Sequence, residues 1–275
     1  MPRPTAGARA LHTHLFGPAT GGVPHVLAVH GLTGHGKRWE QLSLDHLPGV
    51  RVVAPDLLGH GRSPWEPPWR IDDHAAALAE VLDRHVAADD RPVVVLAHSY
   101  GSAVALALAE RRPADIAGLV LLDPAQGLEP TFAGTVAESA MTHWGNTDAE
   151  DAKAAKRMEG WGAVPADILE REVAEHLIPA PGGGVRWRVS APAAATAWSE
   201  MTGAFRLPPP GVPTHVVVAD RVDPPFVRPE FLAACAADRA DSVTVHHVDT
   251  EHMVPFLVPE FCAELVRELL ARCPR

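Results

Sequence analysis

Pro92-Val93-Val94-Val95-Leu96-Ala97-His98-Ser99-Tyr100-Gly101-Ser102 is the stretch on which the fold turns. Its first six residues form an unbroken apolar run, the pattern of a strand buried on both faces. Such strands belong to parallel sheets covered by helices. The run passes without a loop into Ser99 and then into an Ala- and Leu-rich helix reaching Glu110. A serine hydroxyl is a poor nucleophile until a base takes its proton, and it must stand clear of the surrounding backbone. A tight strand-to-helix turn achieves that but crowds the positions two before and two after the serine, where Ala97 and Gly101 are small. The same turn aims the first N–H groups of the helix at whatever sits beside Ser99. A serine N-cap on an ordinary βα unit shares part of this pattern, so the reading depends on what lies elsewhere in the chain.

Outward from this junction, short β-branched runs alternate with helical stretches, the rhythm of a parallel sheet. Val26–Val29 predicts a buried strand followed by a turn-rich segment, His30–Gly36, and a helix over Lys37–His46. Arg51–Ala54 predicts the next strand, ending at Pro55-Asp56, and Leu57–Trp69 is too rich in Gly and Pro for a regular element. Asp72 or Asp73 is suited to cap a helix running to Val86, with Ala76, Ala79, Leu82 and Val86 on one face. Ile116–Leu122 predicts a strand closing at Asp123-Pro124. From Gln126 to about Gly211 the rhythm breaks, apart from one short strand expected at Val185–Val189. This region holds Trp144, Trp161, Trp187 and Trp198, and contains Gly182-Gly183-Gly184 and Pro208-Pro209-Pro210. The alternation then resumes with strands at His215–Ala219 and Val243–Val248 and helices at Pro229–Ala237 and Pro259–Ala271. The expected organisation is a core domain, 1–124 and 212–275, with a mainly helical cap insertion over 125–211.

Four separated segments resemble motifs of the α/β-hydrolase superfamily. The Ser99 junction is similar to its nucleophile elbow G-x-S-x-G, with Ala97 in place of the first Gly. His215–Ala219 followed by Asp220-Arg221-Val222-Asp223-Pro224 resembles the strand and acid loop, and Thr250-Glu251-His252-Met253-Val254 the catalytic-histidine loop. The resemblance implies a triad in the order Ser99, Asp223, His252. His252 would take the Ser99 proton and later protonate the leaving group, while Asp223 orients its ring. Asp123, at a strand end that some members use, and Asp220 stand as alternatives for the acid; His246 and His247 read as structural. His30-Gly31-Leu32 resembles the HG-x turn, which assigns an oxyanion hole to the backbone N–H groups of Leu32 and Tyr100. Pro55–Ser63 resembles the P-D-x-x-G-x-G-x-S loop and reads as support for the site. The implied fold is the α/β-hydrolase fold: a mostly parallel central sheet covered by helices on both faces, with a mainly helical cap.

Fold alone does not name a substrate. A serine at the nucleophile position excludes the dehalogenases and epoxide hydrolases of this superfamily, which use aspartate, and the chain has only one tyrosine, Tyr100, for any epoxide-protonating role. Met253 stands where C–C hydrolases carry Trp. Glu138, Asp148, Glu150, Asp151 and Glu159 read as a solvated face rather than an amine-binding site. The cap tryptophans, with Phe132, Met141 and Phe205, would line an apolar acyl pocket or form the cap's own small core. The reading is a cofactor-independent serine esterase acting on a small or medium carboxylic ester. Amide, lactone or C–C cleavage, perhydrolysis, and a ligand-sensing member without turnover are the alternatives.

Composition is consistent with this. The 275 residues are 47% hydrophobic and 21% charged, ordinary globular usage, which excludes a disordered or fibrous chain. Twenty-four Lys and Arg against 34 Asp and Glu leave a net charge of −10, with no basic patch for nucleic acid. No apolar stretch has membrane-spanning length, and Met1–Ala10 lacks the apolar region of a secretory signal. These features predict a soluble, cytoplasmic protein with a small-molecule substrate. Cys235, Cys262 and Cys273 show no CxxC spacing and read as two core residues and one near a frayed end. Neither the His12/His14, His30/His35 nor His246/His247 pairs match a zinc motif, so no metal and no cofactor are expected.

Overall fold

The structure, a computed structural model describing residues 10–19, 22–142 and 144–273, is built on one twisted sheet. Its strands are β1 (Thr13–Phe16), β2 (His25–Val29), β3 (Arg51–Pro55), β4 (Val93–His98) and β5 (Ile116–Leu122), then β8 (Thr214–Ala219) and β9 (Val243–Val248). They lie in the order β1-β3-β2-β4-β5-β8-β9, all parallel except β1, which runs antiparallel to β3. Between β5 and β8 the chain leaves the sheet and forms a separate antiparallel pair, β6 (Leu177–Pro179) and β7 (Val185–Trp187). The helices are α1 (Glu40–His46), α2 (Ile71–His85), α3 (Tyr100–Arg111), α4 (Pro130–Thr142), α5 (Ala149–Lys156), α6 (Ala166–His176), α7 (Ala191–Glu200), α8 (Pro229–Asp238), α9 (Val254–Leu257) and α10 (Pro259–Arg272).

The period of two along each strand divides the core in half. Leu27, Val29, Val53, Val95, Ala97, Leu119, Leu121, Val216 and Val218 pack with α2, α3 and α8 on one face. Val26, Ala28, Val52, Ala54, Val94, Leu96, Val120, Leu122 and Val217 meet Trp39, α1 and α10 on the other. Two apolar faces explain why β4 reads as an unbroken apolar run: every one of its residues is buried. Cys235 and Cys262 are buried and Cys273 is partly so. No helix among the described residues is long and apolar enough to cross a membrane.

Three local differences from the sequence reading have physical causes. β1 has no recognisable strand pattern and owes its existence to pairing with β3 at the sheet edge. The helix expected over Lys37–His46 divides into a 3-10 turn, Gly36–Trp39, and α1. Neither Asp72 nor Asp73 caps α2. The cap is Arg70, and Asp73 at the third helical position reaches back to accept its backbone N–H at 3.1 Å.

The junction after β4 is held by a backbone approach that only glycine permits. A Cβ on Gly101 would lie 2.4 Å from the His30 carbonyl oxygen and 2.7 Å from that of Val29. Neither oxygen can retreat, because β2 is fixed between β3 and β4. Gly101→Ala is therefore expected to destabilise the protein by about 1–3 kcal/mol through overpacking, read as a lower midpoint in urea unfolding.

Candidate functional site

The singled-out residues lie where an open α/β sheet places its ligands, beyond the carboxyl ends of the strands. Ser99 follows β4 with φ 53° and ψ −126°, a backbone region that costs a non-glycine residue about 1–3 kcal/mol. It is held there by its own backbone. Its N–H donates to the Leu122 carbonyl at 2.9 Å, and its carbonyl accepts from Ser102 at 2.9 Å and Ala125 at 3.3 Å. Gly31, after β2, comes so close that a Cβ there would lie 3.0 Å from Ser99 Cβ and 2.9 Å from His98 Nδ1. The turn that carries Leu32 is thus pressed against Ser99. Tyr100 opens α3, and its N–H has no acceptor within the helix.

His252 does not meet Asp223. Its Nδ1–H donates to Asp123 Oδ2 at 2.5 Å, and the other carboxylate oxygen of Asp123 accepts the Ala219 N–H at 3.1 Å. Asp123 is 1% exposed and directly follows β5, the neighbour of β4. Its positive φ of 45° is a conformation that aspartate tolerates better than most residues. Asp223 instead lies exposed in the loop after β8. That loop is laced to the β9 exit by Asp220 N–H to Val248 O at 2.9 Å and Arg221 N–H to Thr250 O at 3.1 Å. What it sends to His252 is an aromatic ring, Phe226, with centroids 4.5 Å apart. Asp220 pairs with His247 at the surface, 2.8 Å. With Nδ1 of His252 carrying the proton, its basic lone pair is on Nε2.

Three further histidines shape this region, and the sequence reading gave none of them a side-chain role. His98 donates Nε2–H to the His252 carbonyl at 2.8 Å, and burial holds its pKa well below the ordinary histidine value, as does the neighbouring His252. His30 accepts the Leu57 N–H on Nε2 at 2.9 Å, so its Nδ1–H donates to the Gly31 carbonyl at 2.7 Å. Burial pushes the His60 pKa down to about 4. These rings act as neutral, directional spacers. Asp56, at the start of the Pro-Asp loop, accepts the Gly36 N–H at 2.7 Å and the Arg62 N–H at 2.8 Å, tying that loop to the His30–Gly36 turn.

Above the strand ends, Phe132 of α4, Trp198 of α7 and Phe226 form an aromatic triangle with centroids 6.2–6.3 Å apart. A Cβ on Gly160 would lie 3.7 Å from His252 Cβ. Trp161, the next residue, packs with Val164, Leu169 and Met253. The five carboxylates read as a solvated face, Glu138, Asp148, Glu150, Asp151 and Glu159, are all exposed. The buried one is Glu172 of α6, which receives Arg38 at 2.5 Å and His35 at 3.0 Å. Arg38 also donates to the Thr33 carbonyl at 3.1 Å. A chain of contacts thus runs from α6 to the turn beside Ser99. Lys156, 1% exposed, lies 3.9 Å from Glu172 and over the rings of Trp187 and Trp161, with no hydrogen-bond partner for its ammonium among the described residues. The sequence signal was present: Leu169, Glu172 and His176 share one helical face, and all three are buried.

A family model described as the alpha/beta hydrolase family matches residues 26–265. The chain is 41% identical over 260 residues to Lipase LipV of Mycobacterium tuberculosis, covering 94% of this chain and 97% of that one. It is 28% identical over 263 residues to a pimeloyl-[acyl-carrier protein] methyl ester esterase of Methylococcus capsulatus, covering 94% and 98%. Its structure is similar in fold to E-2-(acetamidomethylene)succinate hydrolase, with a TM-score of 0.78, 20% identity and 96% of each chain covered.

The buried charges make opposite predictions. Glu172→Ala strands the buried Arg38 guanidinium and is expected to cost about 3–5 kcal/mol, measured by denaturant unfolding. Burial lowers the Lys156 pKa from 10.5 to about 8. Below pH 8 both folded and unfolded chains hold the proton, and the desolvation penalty is fully present. Between pH 8 and 10.5 only the unfolded chain holds it, so wild-type stability rises with pH in that window. Lys156→Met is expected to be more stable than wild type at pH 7 by about 1–3 kcal/mol, an advantage that shrinks as pH rises toward 10.5.

Proposed function

Because this chain belongs to the α/β-hydrolase family, and is a hydrolase of lipase or esterase type, we propose that it cleaves small or medium carboxylic esters through Ser99, His252 and Asp123. The observation that carries this reading is the 2.5 Å bond from His252 to a buried carboxylate at the strand end next to Ser99. Asp123 takes the place that the sequence alone assigned to Asp223.

His252 Nε2 removes the Ser99 hydroxyl proton as Oγ attacks the ester carbonyl. Asp123 keeps the ring in the tautomer that can accept this proton and stabilises the imidazolium that forms. The carbonyl oxygen becomes an oxyanion, and the N–H groups of Leu32 and Tyr100 are assigned to hold it. One such donor is worth about 3–4 kcal/mol of barrier. The imidazolium then protonates the leaving alkoxide, leaving an acyl-Ser99 ester. A water deprotonated by His252 attacks that ester, and its collapse releases the carboxylic acid and returns the proton to Ser99.

Residues 125–211 act as a cap over this site. Phe132, Trp198 and Phe226 offer an apolar wall beside His252, suited to an acyl chain. A relative named as a lipase and another named as a methyl ester esterase support an oxygen ester over an amide.

The test is hydrolysis of p-nitrophenyl esters from acetate to long acyl chains by wild type and three variants. Ser99→Ala is expected to abolish turnover and labelling by a fluorophosphonate. Asp123→Asn is expected to lower kcat by roughly 10²–10⁴-fold, and Asp223→Asn to leave it within about twofold, as suits an exposed residue. The reverse ranking of the two aspartates would return the acid role to Asp223. Labelling without turnover on any ester would move the search to amides, lactones and diketones.

A further inference from the structure

His12 and His14 are two apart on an extended chain, so their side chains share one side of it. The pairing of β1 with β3 carries both to Asp56, the residue that follows β3. Thr13 lies opposite Pro55, and the Asp56 N–H donates to the His12 carbonyl at 2.8 Å. A ring nitrogen of each histidine and a carboxylate oxygen of Asp56 all lie within 4.8 Å of one another. His14 Nε2 is buried with no aligned hydrogen bond among the described residues, and it stands 3.3 Å from Asp56 Oδ1. That distance is the edge of a tetrahedron around an ion with bonds of about 2.0–2.1 Å. The remaining ligand, His12, is exposed, so a small side-chain rotation can bring its nitrogen to the same spacing.

We propose that His12, His14 and Asp56 bind a divalent first-row transition ion, of which Zn2+ is the first to test, with the fourth position open to solvent. Two imidazoles and a carboxylate suit such ions better than Ca2+ or Mg2+, which favour all-oxygen sites. The carboxylate is already oriented by outer bonds, Gly36 N–H at 2.7 Å on Oδ1 and Arg62 N–H at 2.8 Å on Oδ2, as bound carboxylates usually are. Local charge is close to balanced, since Glu175 is paired with both Lys37 and Arg62. Occupancy would pin the edge strand β1 to β3. Through Gly36 it would also fix the foot of the turn that carries Leu32. The site was invisible to motif spacing because its third ligand is far along the chain.

The experiment is calorimetric Zn2+ titration of the full chain, free of any polyhistidine tag and stripped with a chelator, followed by thermal unfolding with and without the ion. Co2+ serves as a second probe, read by its visible absorption. One ion per chain, a higher Tm with Zn2+, and binding weakened by at least about tenfold in His12→Ala and in His14→Gln are expected. His247→Ala, a surface histidine outside the cluster, and His252→Ala are expected to bind as wild type does. His12 is exposed, so its variant keeps the fold even where the half-buried His14→Gln does not. Absence of binding below millimolar Zn2+, equal affinity in His12→Ala, or loss of binding in His252→Ala would each overturn the proposal.

Discussion

Ser99 stands at a φ of 53°, and a side chain can stay there only while everything around it is small, bonded and immobile. The strain is of the order of 1–3 kcal/mol, and several neighbours share in holding it. β4 and β5 end side by side, so the Ser99 N–H finds the Leu122 carbonyl. The turn after β2 has glycine at position 31 and can approach within contact of the serine. Gly101 lets α3 begin against the β2 carbonyls. Each constraint fixes the backbone of Ser99 at the end of β4.

The His252 ring is positioned from below and above. From below, Asp123 has no freedom, since it is buried, anchored by its own N–H to Val217 O, and bonded through both carboxylate oxygens. His98 holds the backbone of His252 as a neutral donor, a state that burial enforces. From above, the 157–161 segment and the Phe226 ring close on the imidazole. The region over the strands is not attached by apolar contact alone. Glu172 links α6 to the Leu32 turn by a buried ion pair with Arg38 and a hydrogen bond to His35. Such pairs are a poor source of net stability but are strongly directional. Their geometry places one end of the upper layer relative to the turn beside Ser99.

Much of this was legible in the chain. β4 declared itself by an apolar run in which every residue is buried, and Ala97 and Gly101 marked the tight turn around Ser99. His252 and the His30-Gly31-Leu32 turn were recognisable because their neighbours in sequence carry the pattern. The carboxylate that His252 meets was not, because two aspartates, 123 and 223, both follow strands and both fit the order of the chain. Local sequence cannot say which loop reaches the histidine. Glu172 and Lys156 went unnoticed for a related reason: charged residues on a helix are normally solvated, and only a facing arginine and tryptophan rings make these two interior. His12, His14 and Asp56 meet only because an antiparallel edge strand without a strand-like pattern pairs there.

The sequence by itself determined the alternating parallel architecture and the tight turn around Ser99, since each depends on residues adjacent in the chain and on periods of 2 and 3.6. Only the tertiary structure decided that Asp123 rather than Asp223 bonds to His252, which carboxylate of α6 is buried, and what stands beside the edge strand. Those outcomes depend on which strand ends are neighbours and on which loops an aromatic or an ion pair has already filled, and both are set by the packing of distant segments.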